Sequence, residues 1–345
     1  MPKPSLDRKD RSRAFVCLGK ALEEALQGKG PCSGQIEEGI IQAGRENSWF
    51  TAENVNTALK AIVCNLKEDK LHAWLKPYRD ELNAQQHPKR VAVVMAGNIP
   101  CAGFHDFICT LMAGHIFLGH TSSSDKVLLP ILAEMLIQQE PRFAGRLEFR
   151  QGKPSGFDAA IASGSDNTGR YFDYHFGRCR HIIRRHRNSV AILTGRETEE
   201  ELILLGRDIF LYFGLGCRSV SKLFVPQAYD FMPLLNALSS FSKIAKHSEH
   251  SSNYTYNKAV FSLNDVPFLD NDFLLLREST DLHSPISTLH YEFYNRDVHS
   301  QIEKHGKEIQ CVVSEKDVPF GESQFPALND YADNVDTMRF LLHLK

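Results

Sequence analysis

Net charge is nearly absent from this chain of 345 residues: 40 Lys and Arg stand against 42 Asp and Glu, a formal balance of -2. With no global field to gather phosphates, the composition argues against a dedicated nucleic-acid binder. Paired cysteines are missing too. The eight cysteines (17, 32, 64, 101, 109, 179, 217 and 311) include no CxxC pair. That fits neither a zinc ribbon nor a small disulfide scaffold, and reduced thiols in a cytosol are the simplest account. The basic start is not followed by the uninterrupted apolar stretch of a secretion signal, so a cytoplasmic protein is expected. A membrane span is not expected either. Between Val91 and Ser124 the only formally charged residue is Asp106, yet Asn98-Ile99-Pro100, His105, His115, His120 and Thr121-Ser122-Ser123-Ser124 cut that region into strand- and helix-length pieces. No HExxH or comparable ligand spacing appears among the 15 histidines, so no metal is assigned. Neither G-x-G-x-x-G after a strand nor G-x-x-x-x-G-K-[ST] is present, and there is no internal repeat.

What remains is a chain with 42% apolar and 24% charged residues, a globular composition, and enough length for two domains. Its first ninety residues carry apolar positions at three-and-four spacing over Arg11–Gln27, Gly34–Glu46, Thr51–Cys64 and Leu71–Glu81, which predicts helices. From Arg90 short apolar runs alternate with helices. Strands are expected at Val91–Met95, Ile116–Leu118, Arg146–Arg150, Ala159–Ala162 and Ser189–Leu193, with helices at Phe104–Ala113, Lys126–Gln139 and from Gly169. Such a pattern implies a mainly parallel sheet covered on both faces, as in doubly wound nucleotide-binding folds. A capping box, Thr198 with Glu201, opens a helix to Phe213. A second α/β unit follows, with strands at Lys222–Val225, Asn257–Leu263, Phe273–Arg277 and Gln310–Val313, a helix at Tyr229–Ile244 and a turn at Lys246–Ser252.

Four features carry possible chemistry, each with a plainer alternative. Cys217 sits in Gly214-Leu215-Gly216-Cys217-Arg218, where glycines permit a sharp bend. It is either a nucleophile presented from that bend beside a cation, or a small buried hydrophobe. Asn98 follows the Val91–Met95 strand and is either an amide donor to an oxyanion or the cap of the next helix, with Pro100 in its first turn. Gly164-Ser165-Asp166-Asn167-Thr168-Gly169 is a helix-start anion site or an ordinary turn. Arg178, Arg180, Arg184, Arg185 and Arg187, with His181 and His186, hold phosphates of a cofactor or of coenzyme A, or form a solvated basic face.

In order along the chain, Val93–Pro100, Gly103–Phe107, Ala113-Gly114-His115, Asp125–Pro130 and Gly214–Arg218 resemble the acyl-CoA reductase family typified by the LuxC subunit of bioluminescence fatty-acid reductase, within the aldehyde dehydrogenase superfamily. The resemblance runs from about Val91 through Asp330–Asp333 and Asp336–Phe340. It implies an α/β, aldehyde dehydrogenase-like fold: a helical segment at 1–89 packing on the cofactor domain, a Rossmann-like NAD(P)-binding domain at 90–213, a catalytic domain at 214–320 and a returning segment at 321–345. By resemblance Cys217 is the nucleophile and Asn98 the oxyanion donor. Gly164, Ser165 and Gly169 match the cofactor turn, His120 takes the place of a Lys at the adenosine ribose, and Glu278, upstream of Ser284-Pro285-Ile286, matches a Glu at the nicotinamide ribose. A neutral imidazole at position 120 would hold a 2′-phosphate less well than an ammonium, so NADPH and NADH both stay open. Where hydrolytic relatives carry a base in Glu-Leu-Gly-Gly, the comparable stretch here is Ala191–Gly195, which lacks it and favours thioester chemistry. The expected activity is reduction of a fatty acyl-CoA to the aldehyde through an acyl-enzyme, with coenzyme A as part of the substrate. The alternative is a non-redox acyl-carrying subunit of a fatty-acid reductase complex. Expected partners are an acyl-CoA or acyl-protein donor, an acyl-transferring or acyl-activating protein, and further copies of the chain in a homo-oligomer.

Overall fold

A strand buried on both faces must be covered by helices from both sides, and the alternation of apolar runs with helices sets the architecture accordingly. The computed structural model describes residues 6–83, 87–164, 176, 177, 179–294, 297–306 and 308–344. Two compact units emerge, one of Met1–Arg185 with Ala327–Lys345, the other of His186–Pro326.

The first unit opens with helices α1 (Arg8–Leu26), α2 (Ser33–Glu46), α3 (Ala52–Asn65), α4 (Glu68–Leu75) and α5 (Arg79–Asn83). Asp7 caps α1 by accepting from the Asp10 N–H, and Phe15, Leu18 and Leu22 form its buried stripe. Phe15 meets Phe107 and Phe143 edge-on at 6.1 and 6.0 Å, so the helical layer is part of this unit's core. Then come β1 (Arg90–Val94), α6 (Phe104–Met112), β2 (Ile116–His120), α7 (Leu128–Gln139), β3 (Leu147–Phe149), β4 (Ala159–Ser163) and β5 (Arg180–Arg184). The strands form a parallel sheet in the order β3-β2-β1-β4-β5. Because the chain moves outward from β1 to β3 and then crosses to β4, a crevice opens where the carboxyl ends of β1 and β4 diverge. A helix at Thr337–Leu342 returns to this unit.

β5 corrects the reading of the arginine cluster. Arg184 is buried there, paired with Asp106 of α6 and donating to Thr337 Oγ1 at 2.9 Å. It is neither a phosphate ligand nor part of a solvated face, because the Asp106 carboxylate compensates its buried charge.

The second unit contains β6 (Asn188–Ile192), α8 (Glu199–Phe210), β7 (Val220–Pro226), α9 (Met232–Leu238), α10 (Ser248–Leu263), β8 (Leu269–Asp270), β9 (Leu275–Glu278), β10 (Thr288–Tyr294), α11 (Val298–Glu303) and β11 (Ile309–Val313). Its sheet runs β11-β6-β7-β10-β9-β8, parallel except for the β8 edge. The expected capping box at Thr198 and Glu201 is formed. The boundary expected at 213/214 lies instead at Arg185/His186, because β6 pairs with β7 and β11 and carries α8 with it. The strand expected at Asn257–Leu263 and the turn expected at Lys246–Ser252 fall largely within one helix, α10. β10 had no counterpart among the expected strands. Among the described residues no helix is long and apolar enough to cross a membrane.

Candidate active site

At the crevice of the first unit, β1 runs out through Met95 to an exposed Asn98. Gly97 has no room for a side chain, since a Cβ there would lie 2.5 Å from Ser122 Oγ, so the loop passes directly against the one that follows β2. Asp125 ties the two loops together. Its Oδ2 accepts the Cys101 N–H at 2.8 Å, and Cys101 itself is left-handed at φ 58. Burial pushes the Asp125 carboxyl up to about 6, against the pull of N–H groups from Cys101 and Leu128. The N-cap of α6 is Gly103 without a side-chain bond, so the capping alternative for Asn98 falls away.

His120, the last residue of β2, is buried, and neither ring nitrogen makes a well-formed hydrogen bond. Desolvation lowers its pKa, with the nearby Gly152 backbone offsetting part of the effect, so the ring is neutral at pH 7. His115 shows the contrast. It accepts from Lys89 N–H through Nδ1 at 3.1 Å and meets the Leu341 carbonyl through Nε2 at 2.9 Å, a histidine fully used by the core. Gly164 continues the ladder beyond β4, its N–H donating to the Arg184 carbonyl at 3.2 Å. Ser165 and Gly169 lie outside the described residues.

In the second unit α8 ends in a turn with three successive left-handed residues, Tyr212 (φ 55), Phe213 (φ 57) and Gly214 (φ 76). Two of them carry side chains, and such residues sit in that region only when their surroundings hold them there. Here they do. Tyr212 is buried, Phe213 lies 4.2 Å from the His247 ring, and Ser189 of β6 donates to the Cys217 carbonyl at 2.9 Å. Cys217 is half-buried at the entry to β7, whereas Cys101 and Cys109 are fully buried and desolvation raises both thiols well above their usual range.

A cavity of about 270 Å³ adjoins this turn, lined by Phe213–Gly216, Ser219, His250 and Ser284–Thr288 among others. His250 Nδ1 and Thr288 Oγ1 are buried in its wall without a hydrogen-bond partner. Burial, with His247 alongside, pushes the His250 imidazole down to about 4, so it is neutral at physiological pH. No Asp or Glu is among its lining residues. The roomier groove of this unit, about 1740 Å³, lies at the carboxyl ends of β7 and β10, the opposite edge from the cysteine turn.

The strand registers place two further features of this unit. The register of β9 on β10 and of β10 on β7 sets Glu278, the exposed last residue of β9, level with Leu223. Its companions Ser284-Pro285-Ile286 do line the cavity. Likewise Ala191 pairs with Leu223, which carries Ala191–Gly195 away from the cysteine, and the segment that reaches the cavity is His186–Asn188, with Ser189 bonded to the Cys217 carbonyl. That segment also lacks a carboxylate. Asn98 belongs to the first unit and Cys217 to the second. Sequence reasoning missed Asp125 and His250. An Asp three residues ahead of an apolar helix signalled the first, while the polar sequence of α10 hid the second.

No protein-family profile and no curated protein sequence matches the chain. Solved structures do. It superposes on an aldehyde dehydrogenase from Bacillus cereus in complex with NAD+ (TM-score 0.61, 12% identity, covering 89% of this chain and 71% of that one). It is similar to aldehyde dehydrogenase 21 from Physcomitrella patens with its reaction product succinate (TM-score 0.60, 11% identity, 89% and 77% covered). An oxidoreductase from Marinobacter aquaeolei gives 0.61 at 9% identity, with 90% and 74% covered. The chain therefore has an aldehyde dehydrogenase-like fold.

Proposed function

We propose that this chain is an NAD(P)H-dependent acyl-CoA reductase that forms a thioester on Cys217. The observation that carries the reading is the left-handed turn that sets a half-buried cysteine at the amino end of β7, beside a cavity with unpartnered polar groups. The Cys217 thiolate attacks the thioester carbonyl, and the coenzyme A thiolate leaves with the electron pair of the broken C–S bond. The oxyanion takes a hydrogen bond from the Cys217 N–H, and the family resemblance implies the Asn98 amide as a second donor. None of the described residues lining the cavity is a carboxylate that could activate water, which supports onward transfer of the acyl group over its hydrolysis.

The first unit fits a nicotinamide dinucleotide at the diverging ends of β1 and β4. The unpartnered His120 nitrogens and the side-chain-free passage at Gly97 suit a ligand lying along those ends, and Gly164 opens the stretch that the family resemblance assigns to the cofactor turn. A reduced nicotinamide held there would supply hydride; on the Cys217 side, a reduced acyl-enzyme, a thiohemiacetal, would release aldehyde as its C–S bond breaks and the electron pair returns to the thiolate. That one neighbour was solved with NAD+ supports this choice.

The test follows NADPH and, separately, NADH consumption with acyl-CoAs of several chain lengths, with Cys217→Ala as control. Consumption by the wild type alone is expected. Acylation of Cys217 detected by mass spectrometry without consumption of either cofactor would replace the reductase with a non-redox acyl carrier, and absence of both would overturn the thioester chemistry. Peptide mapping is needed because Cys64 is exposed and also reacts with free reagents.

A further inference from the structure

The helical layer of the first unit carries a groove that the proposed reaction leaves unused. Its volume is about 570 Å³, and it lies between α1 and the α4–α5 segment. Arg8, Lys9, Arg13 and Lys20 form one wall, and Lys76 and Arg79 stand on the other. Glu68 is the single carboxylate among its lining residues, in a chain whose overall charge is -2.

The spacing gives the groove its shape. Lys9, Arg13 and Lys20 follow one another at i, i+4 and i+11, which keeps them on one face of α1 over roughly 17 Å, or about three helical turns. Between the two charged walls the floor is apolar, with half-buried Val16 and buried Leu75. Among the described residues none of the six cations makes an ion pair or a side-chain hydrogen bond, and all but Arg8 are exposed.

A small phosphate is bound where donors converge on one point, and these are strung along a line. A flat anionic surface has no use for an apolar floor. We propose that the groove docks an acidic amphipathic helix of a partner protein, its Leu-like residues on Val16 and Leu75 and its carboxylates along both walls. Packing a third helix onto two, with opposite charges at the rims, steers the encounter and fixes the register.

The probe is a labelled helical peptide of about 14 residues with Leu at i, i+3 and i+7 flanked by Glu, its binding to the full chain read by fluorescence anisotropy. Expected is saturable binding that weakens on going from about 50 to about 200 mM salt and by roughly tenfold or more in the Arg13→Glu/Lys76→Glu double variant. Lys304→Glu in the second unit should bind as the wild type does. Because the changed side chains are exposed, the melting temperature should hold; if reversal disturbs folding, Arg13→Gln/Lys76→Gln serves instead. A scrambled peptide of the same composition binding equally well would reduce the effect to undirected charge attraction and overturn the proposal. Failure of the designed peptide to bind would do the same. So would displacement of the peptide by coenzyme A or by phosphatidylserine vesicles whose own binding the double variant abolishes.

Discussion

Two loops, one in each unit, deliver the side chains on which the proposed chemistry depends, and they are held by different physics. The loop carrying Asn98 is held by a buried titratable group: the Asp125 carboxyl accepts the Cys101 N–H, and Gly97 only makes room. The turn before Cys217 is held by conformation, with Tyr212 and Phe213 kept in a region that costs side-chain-bearing residues roughly 1–2 kcal/mol each. No titratable group lies within Tyr212–Gly216 except the buried Tyr212 phenol. A loop held by a titratable carboxyl should answer to pH, and a conformation-held one to the residues placed in it. That distinction can be broken experimentally.

The largest expected effect tests what the first loop is for. Asn98→Ala should lower kcat for acyl-CoA reduction by roughly a hundred- to a thousandfold, the usual loss when an oxyanion donor is removed. Because Asn98 is exposed, the melting temperature should barely move. A rate near that of the wild type would remove Asn98 from the mechanism. The next effect tests how that loop is held. The Asp125 carboxyl titrates near 6 in the fold against an ordinary value of 3.8, so the native state binds the proton more tightly than the unfolded chain does. The stability this confers is fully present below about pH 4 and is lost as pH rises through about 6, with a total of about 3 kcal/mol. Asp125→Asn keeps an acceptor for the Cys101 N–H and cannot titrate. Urea unfolding of both proteins from pH 4 to pH 7.5 should therefore show the variant gaining roughly 2.5 kcal/mol relative to the wild type across that window. A constant difference would mean that the carboxylate is not held as the structure has it.

How much of this the sequence discloses follows the same division. Runs such as Val91–Met95 and Lys222–Val225 announce buried strands because apolar burial is a local property of sequence. β5 stayed hidden because its Arg184 is compensated by Asp106, 78 positions earlier in the chain, a pairing no local window contains. α10 was hidden for a related reason. Only His250, Asn257 and Phe261 are buried along its 16 residues, and the helix is fastened by Asn257 donating to the Ile286 carbonyl and Ser287 donating to the His250 carbonyl, both at 2.9 Å. The cysteine turn lies between these cases. Its glycines were legible as a bend, but the left-handed Tyr212 and Phe213 were not, because nothing in their side chains asks for that conformation.

The smaller effects separate space from conformation at two glycines. Gly97→Ala places a Cβ 2.5 Å from Ser122 Oγ and 2.6 Å from its Cβ, which should cost about 2 kcal/mol. Removing the obstacle with Ser122→Gly should recover most of that loss, so the pair should be strongly coupled in a double-mutant cycle. Gly214→Ala meets nothing closer than the Ile209 carbonyl at 3.4 Å, an ordinary contact, yet its φ is +76. Its cost of about 1 kcal/mol is conformational, so no deletion nearby relieves it, whereas Gly214→Asn, which tolerates the left-handed region, should cost less than the alanine. Alkylation of Cys217 followed by peptide mapping adds the functional arm. If the turn positions the thiol, Gly214→Ala slows its alkylation while Gly97→Ala does not. Equal rates in both would mean that the thiol's exposure is set by the Ser189 bond to the Cys217 carbonyl, and the left-handed residues would then be a consequence of that bond and not its support.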